Sequence, residues 1–169
     1  MYDSRVMKRM LVVEDSETFA GMIAGMLRSL GCEVDIVTDI HKLSWELGRH
    51  AEVEFRYDLI FVDYNMQDGL TTLGLIRQLD TPKAFPLVLV SSAPSTEQLI
   101  EDMEATGVLM AMPKIRLCSI EVMQDTVDRA LKIKEDRRRN ANTVQKPGSL
   151  PESEGTAGGT VTGQYLSPW

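Results

Sequence analysis

Five short apolar runs, separated by stretches whose apolar residues recur at helical spacing, constrain the fold of this chain more than any other feature. The runs are Met10-Leu-Val-Val13, Cys32 to Val37, Leu59-Ile-Phe-Val62, Leu87-Val-Leu-Val90 and Val108 to Met112. After the first, Phe19, Met22, Ile23, Met26, Leu27 and Leu30 trace one face of a helix that Gly31 closes. Ile40, Leu43 and Leu47 mark a second helix, with Asp39 placed to cap it, and Leu73, Ile76 and Leu79 mark a third. Ser95-Thr-Glu-Gln98 is a capping box opening a fourth helix through Met103. A last helix is expected from a Ser119 cap through Ile120, Met123, Val127, Ala130 and Leu131. Strands that are apolar on both faces and alternate with amphipathic helices belong in a parallel sheet covered on both sides. The expected fold class is therefore α/β, a doubly wound five-stranded parallel sheet.

Composition narrows the function classes. The chain has 169 residues, 25 acidic against 18 basic, for a formal net charge of −7. That balance disfavours binding to DNA, which calls for a basic face against the phosphates. No apolar run approaches the roughly 20 residues needed to cross a bilayer, so no membrane association is expected. The first residues lack the apolar core of a secretory signal, and the two cysteines, Cys32 and Cys118, form neither a disulfide framework nor a zinc pattern. A cytoplasmic location with reduced thiols follows as an expectation. Residues 1–6 read as a frayed lead-in and 7–140 as the folded body. From 141 to 169, 15 of 29 residues are Gly, Pro, Ser or Thr, which reads as a flexible tail. Within the body, Gly21 and Gly25 lie four apart, a spacing suited to close packing of the first helix on the sheet, and the methionines read as gap-filling core.

In an open parallel sheet, sites form beyond the carboxyl ends of the strands. The first strand runs into Glu14-Asp15, the third ends in Asp63, the fourth in Ser91-Ser92, and the fifth runs into Pro113-Lys114. Carboxylates crowded together repel unless a cation intervenes. An oxygen-rich set of two or three acids suits Mg²⁺, which prefers to share a phosphate. A carboxylate is also a nucleophile towards phosphorus, and a lysine and a hydroxyl are fitting partners for phosphoryl oxygens. Taken singly, each residue has an ordinary alternative: an Asp after a strand is more often a turn or cap, and Glu14-Asp15 would favour the start of the first helix through its dipole. Their joint appearance at four strand ends points instead to a metal-assisted phosphoryl acceptor.

Over roughly residues 8–134 the chain resembles the receiver domain of bacterial two-component response regulators. Leu-Val-Val-Glu-Asp-Ser resembles the family's first strand and acidic pair. Ile-Phe-Val-Asp-Tyr-Asn-Met resembles the strand bearing the phosphoaccepting aspartate, and Leu-Val-Leu-Val-Ser-Ser the strand ending in a hydroxyl. Thr-Gly-Val-Leu-Met-Ala-Met-Pro-Lys places the family's lysine at Lys114. The resemblance implies a flavodoxin-like (βα)5 fold with strand order 2-1-3-4-5. It implies phosphorylation of Asp63 assisted by Lys114 and Ser91, and Mg²⁺ held by Asp15, Asp63 and the Asn65 backbone carbonyl with Glu14 assisting through water. The implied donor is a histidine kinase or histidine phosphotransfer protein, and the chain itself is not an enzyme beyond self-phosphorylation and autodephosphorylation.

Three features set this chain apart from the family pattern. Asn65-Met-Gln-Asp-Gly69 reaches its glycine six residues after Asp63 and contains no proline. Ile115, not proline, follows Lys114, so a trans bond is expected where cis would cost about 3 kcal/mol. Ala111 stands at the position of the family's aromatic switch residue on the fifth strand. About 30 residues follow the body, too few for an effector domain, so output is expected through binding an unknown downstream protein. The alternative reading is a receiver-like interaction scaffold that does not use phosphorylation. A hydrolase with an aspartyl-phosphate intermediate would want a second acid two residues after the first, and Asp63-Tyr-Asn lacks it. The mixed run Lys132 to Arg139 reads as a solvated helix end, and Gln164 to Trp169 as an unstructured end or a docking segment for a partner or a homodimer.

Overall fold

The computed structural model describes residues 7–39, 42, 57–64, 66, 74, 85–92 and 107–144. The apolar runs form five strands: β1 (Arg9–Val13), β2 (Glu33–Val37), β3 (Leu59–Asp63), β4 (Leu87–Ser91) and β5 (Met110–Pro113). They make one parallel sheet in the order β2-β1-β3-β4-β5. Helix α1 (Glu17–Ser29) follows β1, a 3-10 helix (Lys114–Cys118) follows β5, and a long last helix spans Ile120–Val144. Apart from Lys42 and Gly74, both helical, the expected second, third and fourth helices lie outside the described residues, as does Asn65.

Strand alternation divides the core in two. Met10, Val12, Leu59, Phe61, Val88, Val90, Met110 and Met112 pack with Ala20, Ile23 and Leu27 of α1 and with Met123, Val127 and Ala130 of the last helix. Leu11, Val13, Ile60, Val62, Leu87 and Leu89 point to the other face, with Tyr57, Phe85 and Val108. Every residue of β3 and β4 is buried, as central strands of a two-sided parallel sheet require. β2 is an edge strand with no fully buried residue, and its exposed Glu33 and Asp35 keep that edge charged.

Several local expectations are refined. Ser16 caps α1, its hydroxyl accepting from the Phe19 amide at 3.4 Å, and Gly31 closes the helix with φ of 79°. Ser119 precedes the last helix, but its hydroxyl bonds the Glu121 carboxylate. Lys134 and Arg137, read from the sequence as part of a solvated run, tie the last helix to the body. Lys134 Nζ donates to the Asp58 carbonyl at 2.9 Å, and Arg137 Nη2 to that of Val108 at 3.1 Å. That helix also runs on to Val144, across the boundary expected at 140.

Gly21 and Gly25 do not serve close helix–sheet packing. Both are exposed, and a Cβ built at either meets nothing within 4 Å. They are therefore helix-interior glycines with no packing reason. Gly21→Ala and Gly25→Ala should each stabilise the protein by up to about 1 kcal/mol through helix propensity, which chemical denaturation would measure. Unchanged stability in both would overturn the reading that these glycines are a simple propensity cost to α1.

Candidate functional site

Alternation also decides which side chains meet at the carboxyl edge of the sheet. Glu14 continues the face of Met10 and Val12, and Asp63 that of Leu59 and Phe61. The Glu14 amide still bonds the Val37 carbonyl at 3.0 Å, so the residue leaves β1 with its backbone in ladder position. Asp63 is the last residue of β3, and the next amide, Tyr64, bonds Val90 at 2.8 Å. Both carboxylates are buried, with Glu14 1% and Asp63 3% exposed. Asp15 is half-buried beside them, and one oxygen from each of the three acids lies within 4.8 Å of the others.

Lys114 enters this acidic cluster from the far side. Pro113 leaves β5 extended (φ −65°, ψ 135°), and Lys114 opens the 3-10 helix. Its ammonium lies 2.7 Å from Glu14 Oε2 and 3.0 Å from Asp63 Oδ2. The other Glu14 oxygen, Oε1, accepts from the Ser16 amide at 3.1 Å. The Lys114 ammonium also sits 4.8 Å from the centroid of the Phe19 ring.

Burial pushes the Glu14 carboxyl above the usual carboxylate range, and the Asp63 charge adds to the rise, against the pull of Lys114 and the Ser16 amide. Burial pulls Lys114 the other way, towards the neutral amine. Its bonds to Glu14 and Asp63 outweigh that, and its pKa is raised. Two acids thus share one base, and a third acid stands at the rim. Hard oxygen donors in this number suit a divalent cation such as Mg²⁺, and the donor set fits one. Carboxylates with an ammionium-sized cation beside them are equally the groups that receive a phosphoryl group and balance its charge.

The structure brings together four of the residues singled out from the sequence: Glu14, Asp15, Asp63 and Lys114. Ser91 is placed at the adjoining strand end, buried, one residue beyond the register partner of Asp63. Ala111 is half-buried on β5, opposite Leu89 in register. Sequence reasoning missed Phe19, which helical spacing assigned to the core alone. It does pack against the core on one side, and its place in the first turn after a capping serine was the available signal for the other.

Residues 10–132 match the family model for the response regulator receiver domain. This chain belongs to the response regulator receiver family. No curated protein matches it closely enough to count as a relative. Among solved structures, this receiver is similar to the N-terminal domain of a response regulator/sensory box/GGDEF three-domain protein from Carboxydothermus hydrogenoformans. That match has 21% identity and a TM-score of 0.64, and covers 78% of this chain and 99% of the other. The chemotaxis protein CheY4 of Vibrio cholerae matches with 21% identity and a TM-score of 0.61, over 74% of this chain and 99% of its own. NtrX of Brucella abortus matches with 20% identity and a TM-score of 0.66, over 85% of this chain and 31% of that one. At these identities the structures share the fold: a five-stranded parallel sheet in the order 2-1-3-4-5 with flanking helices. Receiver domains bind Mg²⁺ at an acidic pocket and interact with histidine kinases or phosphotransfer proteins, and this chain carries an acidic cluster of Glu14, Asp15 and Asp63. No described helix is long and apolar enough to cross a membrane.

Proposed function

We propose that this receiver is a cytoplasmic response-regulator module that accepts a phosphoryl group on Asp63 and signals by binding a partner. The observation that carries the reading is the Lys114 ammonium held between Glu14 and Asp63, beside Asp15. A structural ion pair needs one acid. Two buried acids and a third at the rim exceed what one lysine balances, which is the surplus of negative charge that a phosphate-sharing cation requires.

In the mechanism, an oxygen of Asp63 attacks the phosphorus of a phosphohistidine. The new O–P bond forms as the P–N bond breaks, and the imidazole nitrogen leaves with the electron pair. Asp15, Asp63 and the Asn65 carbonyl would hold Mg²⁺, with Glu14 assisting through water, and the ion when bound supplies charge neutralisation at the phosphoryl oxygens. The Lys114 ammonium, already 3.0 Å from Asp63 Oδ2, balances charge that develops as the group arrives. The Ser91 hydroxyl donates to a phosphoryl oxygen, and that pull biases the face built by the expected fourth helix, β5 and the last helix. The chain is not an enzyme in any further sense.

Incubation with acetyl phosphate, with and without Mg²⁺, and intact mass measurement tests this directly. The expected result is one phosphoryl mass, gained only with the cation present. No gain under either condition sinks the proposal. Ala111 favours a second reading, a scaffold that binds partners without phosphorylation, because a methyl group cannot transmit the swing of a ring. In that case partner binding would be the same with and without acetyl phosphate.

A further inference from the structure

We infer that Phe19 is a positioning residue whose ring holds the Lys114 ammonium over the acidic pocket. The inference rests on the phosphoacceptor reading of that pocket and adds a part to it. Lysine is a compact charge on a four-carbon stem with many rotamers, and two carboxylates alone leave the ammonium free to slide between them. Ile115, next along the 3-10 helix, gives no lateral support, being 84% exposed. The Phe19 ring supplies that support. Its centroid is 4.8 Å from Nζ, within the distance at which a ring face attracts an ammonium. The Glu14 and Asp63 oxygens lie at 2.7 and 3.0 Å. Three groups from α1, β3 and the end of β1 therefore fix one cation.

The ring is itself anchored. Phe19 packs against the core cluster that includes Ala20 and Ile23, and its amide is held by the Ser16 hydroxyl at 3.4 Å. The cap that starts α1 thereby sets the height of the ring relative to the sheet edge. Glu14 takes part in the same turn, since its second oxygen accepts from the Ser16 amide. One short segment, residues 14–19, positions both a carboxylate partner and the aromatic partner of Lys114.

The experiment uses the full chain and the variants Phe19→Leu, Phe19→Trp, Lys114→Ala and the Phe19→Leu/Lys114→Ala pair. Phe19→Leu keeps an apolar side chain against the core and removes the ring. It is expected to slow phosphoryl uptake from acetyl phosphate at saturating Mg²⁺ by about fivefold, the scale of a partly desolvated cation–π contact, while the melting temperature stays near that of the wild type. Phe19→Trp should restore the rate. In the Lys114→Ala background, Phe19→Leu should slow uptake no further. An equal slowing with and without the lysine, or a Trp variant as slow as the Leu variant, overturns the inference.

A second readout does not depend on phosphorylation. The Lys114 ε-methylene signals should be shifted by the ring current in the wild type and lose that shift in Phe19→Leu. If they stay unchanged, the ring is not on the lysine and the inference fails. A ring-current shift in a wild-type protein that takes up no phosphoryl group supports the Phe19 contact and overturns the phosphoacceptor reading alone.

Discussion

Asp63→Asn should abolish phosphoryl uptake and, at the same time, make the protein more stable. The two effects have one cause. Glu14, Asp15 and Asp63 carry three formal negative charges around a single ammonium, and the Asp63 charge helps push the Glu14 carboxyl above its usual range. Asparagine keeps the size and one acceptor oxygen, removes the proposed phosphoacceptor oxygen and removes a buried like charge. Lys114 retains its shorter bond, to Glu14 at 2.7 Å. Sites that hold surplus charge for function commonly gain roughly 0.5–2 kcal/mol when the surplus is removed. In a chain of this size that is a rise of roughly 2–6 °C in melting temperature. Calorimetry and intact mass after acetyl phosphate treatment read the two effects separately. A variant that is inactive but less stable would mean that the Asp63–Lys114 bond is structural first, and the surplus-charge account would fail.

Lys114→Ala should lose on both counts. It leaves Glu14 and Asp63, 1% and 3% exposed, without the cation that faces them. Breaking a buried pair by removing one partner costs about 3–5 kcal/mol, and the partial exposure of the lysine puts this case at the lower end, about 3 kcal/mol. The midpoint should fall by about 10 °C at pH 7, and uptake from acetyl phosphate by roughly a hundredfold. The pH dependence identifies the cause. Glu14 already has a raised folded-state pKa, so its proton is held more tightly in the folded than in the unfolded protein. Its charged form is therefore a cost above the folded pKa, and that cost is relieved as pH falls towards the ordinary carboxylate range. Without Lys114 the folded pKa of Glu14 rises further. The stability deficit of the variant should narrow between pH 7 and pH 5. A deficit of the same size at both values would show that lost packing of the lysine stem, not stranded charge, is what the substitution removes.

Strands were legible because burial on both faces leaves no polar positions: Leu59 to Val62 and Leu87 to Val90 are apolar without a break, and both are buried throughout. The acidic cluster was legible for a topological reason. A parallel sheet sends the ends of β1, β3 and β5 to one edge, so residues far apart in the chain, such as Asp63 and Lys114, converge without any local signal. Distances within the site were not legible, because they depend on side-chain reach. That is why the ring over Lys114 was missed while the lysine was not. The length of the last helix was hidden differently. Beyond Leu131 the residues are mostly charged and carry no apolar stripe, so periodicity falls silent. The helix continues because Lys, Glu and Arg are good helix formers, and Glu135 pairs with Arg138 and Arg139 along it. Gly21 and Gly25 misled because spacing alone cannot tell which side of a helix meets the sheet.

Asp63 and the Lys114 ammonium stand on supports of unequal stiffness. Asp63 ends a strand that is buried along its whole length and bonded on both sides, to β1 and to β4. Moving it means breaking the sheet's centre, the part of a domain whose opening costs nearly the full unfolding free energy. Lys114 starts one turn and a half of 3-10 helix, with poorer hydrogen-bond geometry and an outward isoleucine, between the partly exposed β5 and the last helix. Deformation at the pocket therefore costs least in residues 114–118, which pack against the last helix, and most in β3, the strand that ends in Asp63.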